Sequence, residues 1–189
     1  MMPSVDMPTP MEKPQFDSIA SGENGIVGSH LSAVRYHYLP AADEAGYPGA
    51  GEGVDSDISA VVLEFGDRGR RTITWAMQRE VQGLSILGNE VAYAGLADET
   101  VQATDREAWR SHVGERVAWL GTAWHVSADG CPETLWALRL DFSAGSVVLA
   151  LGSSNPAVEY MPDELVVLFD RKLAQTYRPR HAADSAWGR

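Results

Sequence analysis

Residues 137–151 read ALRLDFSAGSVVLAL, and residues 61–75 read VVLEFGDRGRRTITW. Each is the same pattern. In the later stretch Trp136, Leu138, Leu140 and Phe142 fall on one face, with Ala137, Arg139 and Asp141 on the other. SAG (143–145) turns the chain, and Val147, Leu149 and Leu151 come back. In the earlier stretch Val61, Leu63 and Phe65 alternate with Val62 and Glu64. GDRG (66–69) turns, and Ile73 and Trp75 return opposite Thr72 and Thr74. Successive strand side chains point to opposite faces, so period two on both sides of a Gly-containing turn predicts a β-hairpin with one buried and one solvated face.

Aligned, Leu63-Glu64-Phe65 falls on Leu140-Asp141-Phe142, with one residue lost at the turn. The likeness extends outward. GLSILGNE (83–90) follows the first hairpin as ELVVLFDRK (164–172) follows the second, and LSAVRYHYL (31–39) precedes the first as ERVAWLGTAWHV (115–126) precedes the second. The chain is therefore expected to be mainly β with minor α. Two related strand-hairpin-strand units, 30–95 and 115–177, would form one antiparallel sheet or partly closed barrel. Any two amphipathic hairpins alternate by physics alone, so a single meander without duplication fits the same pattern.

Helical signals are few. TDREAWRSHVG (104–114) has Thr104 placed to cap, Glu107 three residues on and Gly114 as a stop, which predicts one short linking helix. PDELVVLFDRKLAQTY (162–177) fits both periods and is read as a strand to Phe169, then a helical turn before Pro179. The Pro-, Ser- and Gly-rich residues 1–28 read as a flexible arm, 29–178 as a single β-rich domain, and 179–189 as a loose tail. Pro40 ends a strand, and 41–57 reads as a long acidic loop.

The chain has 189 residues, of which 44% are hydrophobic, enough to bury a core without disulfides. Cys131 is the single cysteine, which fits a reducing compartment. The N-terminal stretch lacks a signal-peptide pattern, and no apolar run approaches the roughly 20 residues of a membrane span, so a cytoplasmic location and no membrane partner are expected. Net charge is −11, from 26 acidic and 15 basic residues. Such a surface repels phosphate backbones, arguing against nucleic acid, and steers basic partners.

Motifs that would fix a reaction are missing. His30 with His37, and His112 with His125, lack metal-ligand spacing, so no metal and no cofactor are expected. The glycines of GYPGAGEG (46–53) lack the Lys-Ser/Thr ending of a phosphate loop and are flanked by acids. Glu64 and Asp141 are equivalent carboxylates read as solvated. His125 and Cys131, with Asp129 between them, are the weak catalytic candidates, since a turn at SADG would let the imidazole lower the thiol pKa. Trp75, Trp119 and Trp136 are assigned to the core, while Trp109 and Trp187 are the aromatics that an interface would use, although for Trp109 burial of a helix face is the leading reading.

Three function classes follow. The leading one is a small acidic protein-binding domain, an inhibitor in the style of bacterial immunity proteins or antitoxins, that neutralises a basic protein. Its docking residues would be Asp43, Glu44, Glu52, Asp55, Asp57 and Trp109. The second is a small-molecule-binding β barrel with a pocket lined by Tyr36, Tyr38, Trp124 and His125. The third is a hydrolase-type enzyme using His125 and Cys131.

Overall fold

The computed structural model describes residues 8–21, 25–38, 53–66, 68–88, 99–154 and 157–189. After helix α1 (Lys13–Ser21), strands β1 (Leu31–Tyr38), β2 (Val54–Phe65), β3 (Gly69–Gln78) and β4 (Val81–Leu87) form a meander, each pairing antiparallel with the next. Strand β5 (Glu99–Gln102) pairs with β1, and helix α2 (Glu107–Arg110) follows. Then β6 (Trp119–Val126), β7 (Glu133–Phe142) and β8 (Gly145–Leu151) run on. A separate two-stranded ribbon, β9 (Ser153–Ser154) with β10 (Val158–Glu159), intervenes before β11 (Leu165–Leu168) pairs with β8 and completes a second meander. Helix α3 (Arg171–Thr176) comes last. The protein is mainly β, and its antiparallel sheet is nearly closed as a barrel.

Register ties the two meanders together. In the first, pairing slips between His37↔Ala60 and Tyr38↔Ile58, leaving Ser59 as the extra residue. In the second it slips between Ala123↔Ala137 and Trp124↔Leu135, leaving Trp136. With the hairpins aligned, Ala60 falls on Ala137 and Ile58 on Leu135, so the two bulges occupy one place. Alternation is shared by all hairpins, but a bulge position is not. Two related units would share such a position, although a further slip in the first, between Leu31 and Ala33, has no counterpart in the second.

The joints between the units correspond too. β11 pairs with β2, Leu165 opposite Ile58 and Leu168 opposite Val54. The equivalent joint brings β4 to β7, where Leu84 and Leu135 take the places of Leu165 and Ile58. There Met11 mediates: its N–H donates to the Leu84 carbonyl at 2.8 Å, and the Leu135 N–H donates to the Met11 carbonyl at 2.9 Å. Gly83 allows the close approach, since a Cβ would sit 3.0 Å from the Leu135 carbonyl, Thr134 and Pro10.

Several expectations are corrected. Residues 8–21 of the expected arm are docked, with Met11 and Phe16 buried, because the chain is needed at the β4–β7 joint. The expected loose tail is packed: Ala182 bridges to His125, Ala186 is buried, and Gly188 (φ +65) lies against the Thr122 backbone where a side chain would clash. The expected acidic loop does not extend to residue 57, since β2 begins at Val54, and residues 41–52 of that expectation lie outside the described residues. Thr104 does not cap α2. Its hydroxyl accepts from the Val34 N–H at 2.9 Å, and Arg106 holds the cap position. The face of β7 read as solvated is covered, with Ala137 buried and Arg139 only 8% exposed. Arg139 donates to the Trp187 carbonyl at 2.7 Å, and its guanidinium lies over the Trp187 ring, so the C-terminal segment provides the cover. The passage from strand to helix after Phe169 stands as read, with Asp170 capping α3 through the N–H groups of Lys172 and Leu173. No helix among the described residues is long and apolar enough to cross a membrane.

Met11→Pro removes the donor to Leu84 and should destabilise the fold by roughly 3 kcal/mol, the order of cost when proline removes a structural hydrogen bond. Met11→Leu keeps the donor and the volume and should cost less than about 1.5 kcal/mol. Urea unfolding of the two variants distinguishes a structural joint from an incidental contact.

Candidate functional site

The residues singled out from sequence separate into two places. Tyr36, Tyr38, Asp55 and Trp109 converge in a buried polar network with Arg106. The Tyr36 hydroxyl donates to Asp55 Oδ2 at 2.7 Å and accepts from Trp109 Nε1. The Arg106 guanidinium lies 3.2 Å from Asp55 Oδ1, donates to the Tyr38 hydroxyl at 3.1 Å, and covers the Tyr36 ring. Burial, with the Asp55 charge adding to it, pushes the Tyr36 pKa well above its usual value. Asp55 is 4% exposed and Trp109 fully buried, which removes both from a partner-facing surface and gives Trp109 the core place that was its leading reading. The reason is that β2 starts early and carries Asp55 inside, where Arg106 neutralises it and α2 is fastened to β1. Asp57 accepts from the Ser56 hydroxyl at 2.7 Å. Asp43, Glu44 and Glu52 lie outside the described residues.

Trp124 and His125 are consecutive on β6 and so take opposite faces. His125 is buried. A carbonyl can only accept, so His125 Nε2 donates to the Gln82 carbonyl at 2.9 Å, and its Nδ1 accepts from His181 Nε2 at 2.8 Å. Burial lowers the His125 pKa to about 4, keeping the ring neutral. Both nitrogens are committed, and neither is left for Cys131, which sits half-buried in a turn with its N–H on the Ala128 carbonyl. The His125–Cys131 couple is therefore not assembled. Nor are Glu64 and Asp141 brought together as an acid pair: Glu64 pairs with Arg35, and Asp141 with Arg139 at 2.9 Å. Among the described residues no group of three His, Cys, Asp or Glu is placed to hold a metal.

Trp124 faces a groove of about 790 Å³ between α1 and β6. Phe16 and Ala20 of α1 form one wall, Val27 the end, and Trp119, Leu120, Thr122 and Trp124 of β6 the other. Phe16 meets Trp124 edge-on at 5.9 Å, and the Lys13 ammonium lies 5.5 Å over the Trp124 ring. Arg68 and Arg189 join Lys13 on the rim beside Asp17. Lys13 is paired with Glu133 and Arg189 with Asp184 at 3.1 Å, while Arg68 donates to the Gly25 carbonyl at 3.0 Å. Trp119, expected in the core, is 59% exposed here, because its place at the start of β6 lies outside the barrel. Sequence reading gave Trp124 a pocket role but not this pocket, whose second wall comes from the supposed arm. Phe16, Ile19 and Ala20, spaced for one helical face, are the signal that was present there.

No family model, no curated protein and no solved structure matches this chain. The groove combines exposed indole with three cations, two of them held in ion pairs, in a chain of net charge −11.

Two predictions follow from the buried groups. Asp55→Ala leaves Arg106 and the Tyr36 hydroxyl without their acceptor and should cost about 3 kcal/mol in urea unfolding, with groove binding unchanged in the folded fraction. His125 titrates at 6.5 when unfolded and at about 4 when folded, so the unfolded chain binds more protons in between. Its contribution is complete above pH 6.5 and is lost as pH falls towards 4, by on the order of 3 kcal/mol. His125→Gln should flatten that part of the stability profile. Equal slopes in the two proteins between pH 7 and 4.5 would refute the assignment.

Proposed function

We propose that this chain is a binding protein rather than an enzyme, and that the groove between α1 and β6 receives an aromatic or aliphatic molecule bearing a carboxylate. The observation that supports it is Trp119, 59% exposed at the start of β6, beside Trp124 and Phe16 and near Lys13, Arg68 and Arg189. Indole faces supply apolar contact and stacking, and a cation rim supplies the charge complement for a carboxylate. A groove of about 790 Å³ falls within the usual range for small-molecule sites. The single cysteine is in keeping with a cytoplasmic setting.

A second reading, an inhibitor of a basic protein, is favoured by the net charge of −11. Its docking surface would fall to Asp43, Glu44 and Glu52, since Asp55 is buried and Asp57 is bonded to Ser56. The two readings differ in where a substitution acts.

Tryptophan fluorescence and thermal shift against a panel of aryl and indole carboxylates, each beside its neutral amide, tests the first. The carboxylates should bind at least ten-fold tighter than the amides. Trp119→Ala should lose at least ten-fold in affinity while stability changes by less than about 0.5 kcal/mol, as for other exposed positions. If no compound raises the melting temperature, or if Trp119→Ala and Trp124→Ala bind as well as the parent, the groove is not the site.

A further inference from the structure

The stretch RKLAQTYRPRH (171–181) contains Arg171, Lys172, Arg178 and Arg180 and no acid. It forms one side of a second cleft, of about 720 Å³, with Glu159 and Tyr160 opposite and Arg178, Arg180 and His181 at its C-terminal end. In so acidic a chain this is a local inversion of charge, and it is built around a histidine in an unusual setting.

His181 is held from behind. Its Nε2–H donates to His125 Nδ1 at 2.8 Å, and His125 is itself fixed by the Gln82 carbonyl. The Tyr160 ring stands edge-on to His181 at 4.7 Å, and the Tyr160 hydroxyl donates to Gln82 Oε1 at 2.9 Å, so this wall is fixed through the same residue. One tautomer of His181 satisfies these contacts, with the proton on Nε2 and a lone pair on Nδ1. Protonation at Nδ1 leaves the bond to His125 intact. The ring can therefore gain a charge without rearrangement and become a charge-assisted donor.

The surrounding charges favour an anion. Arg180 makes no hydrogen bond or ion pair among the described residues, and Arg178 spends one nitrogen on the Ala183 carbonyl at 3.3 Å. Glu159 is the one carboxylate lining the cleft. Burial holds the Tyr160 and Tyr177 hydroxyls protonated, and Tyr177 donates to the Leu151 carbonyl. His125 stays neutral, so the field comes from two guanidinium groups against Glu159.

We propose that this cleft is an oxyanion site that takes a phosphate or sulfate group between Arg178, Arg180 and Nδ1 of His181. Burial lowers the His181 pKa in the empty cleft, so at neutral pH the ring is uncharged. A bound dianion reverses that preference. Binding then takes up a proton at His181 and tightens as pH falls from 8 to 5.5.

The test follows the His181 ring resonances through a pH titration in sodium sulfate and in sodium chloride at matched ionic strength, since sulfate has no proton to gain in this range. Sulfate should raise the His181 pKa saturably by at least half a unit and leave His125 unmoved. Arg180→Gln should weaken sulfate binding at least five-fold. So should His181→Gln, whose amide can keep the bond to His125 and with it the fold, and its residual binding should lose the pH dependence. Phenyl phosphate run in parallel identifies the source of the anion: equal affinity assigns a free oxyanion, and affinity five-fold higher assigns an organic phosphate stacked on Tyr160. A His181 titration that is the same in sulfate and chloride overturns the proposal, as does an Arg180→Gln variant that binds like the parent.

Discussion

Backbone edges are the constraint on which this structure turns. A meander of antiparallel strands leaves a row of N–H and carbonyl groups along each outer strand, and each must find a partner or water. Two meanders present four such edges. One joint is closed directly, by β11 on the early half of β2. The other is closed through Met11, bonded to Leu84 on one side and Leu135 on the other. The remaining edges are covered by β5 along β1 and by the C-terminal segment along β6, where Ala182 bridges His125 and the Arg189 N–H donates to the Thr122 carbonyl at 3.2 Å. Both ends of the described chain are thereby structural parts of the sheet.

The same closing segments build the candidate sites. Once Met11 is held at its joint, α1 lies beside β6, and Phe16 meets Trp124 across the groove. Once the C-terminal segment runs along β6, His181 reaches His125 and Arg189 reaches the groove rim. β6 thus serves two faces, with Trp124 towards the groove and His125 towards the second cleft. The Asp55 network has a different character. Its donors and acceptors are matched among Tyr36, Trp109, Arg106 and Tyr38, so it holds α2 on the sheet and leaves little unmet chemistry for a ligand.

Charge completes the picture. The net charge of −11 describes the whole surface, yet the 171–181 stretch is locally basic, and the groove rim sets Lys13, Arg68 and Arg189 among Asp17, Glu133 and Asp184. Arg139 shows the same principle in the packed part of the molecule. It lies over Gly121, where a Cβ would come within 2.8 Å of the guanidinium, and it is shared between Asp141 and Trp187. A cation is buried there because a carboxylate, a carbonyl and an aromatic face meet it together.

Local periodicity carried much of the architecture. The alternation at 61–75 and 137–151, and the break after Phe169, depend only on neighbours along the chain, so the hairpins and the passage from β11 to α3 were legible in residue order. The shared pattern suggested paired units, while the matching bulges at Ser59 and Trp136 exist only in the pairing between strands. Everything that depends on contacts between distant residues was decided by the tertiary structure. Asp55 looked like part of a solvated loop until β2 drew it against Arg106, and Thr104 looked like a helix cap until Val34 took its hydroxyl. Trp119 looked like core and stands open, while residues 8–21 of the arm and the tail looked loose and are packed. The physical reason is the same throughout. Propensity and period say which way a side chain points, whereas only the closing of strand edges says what is waiting there.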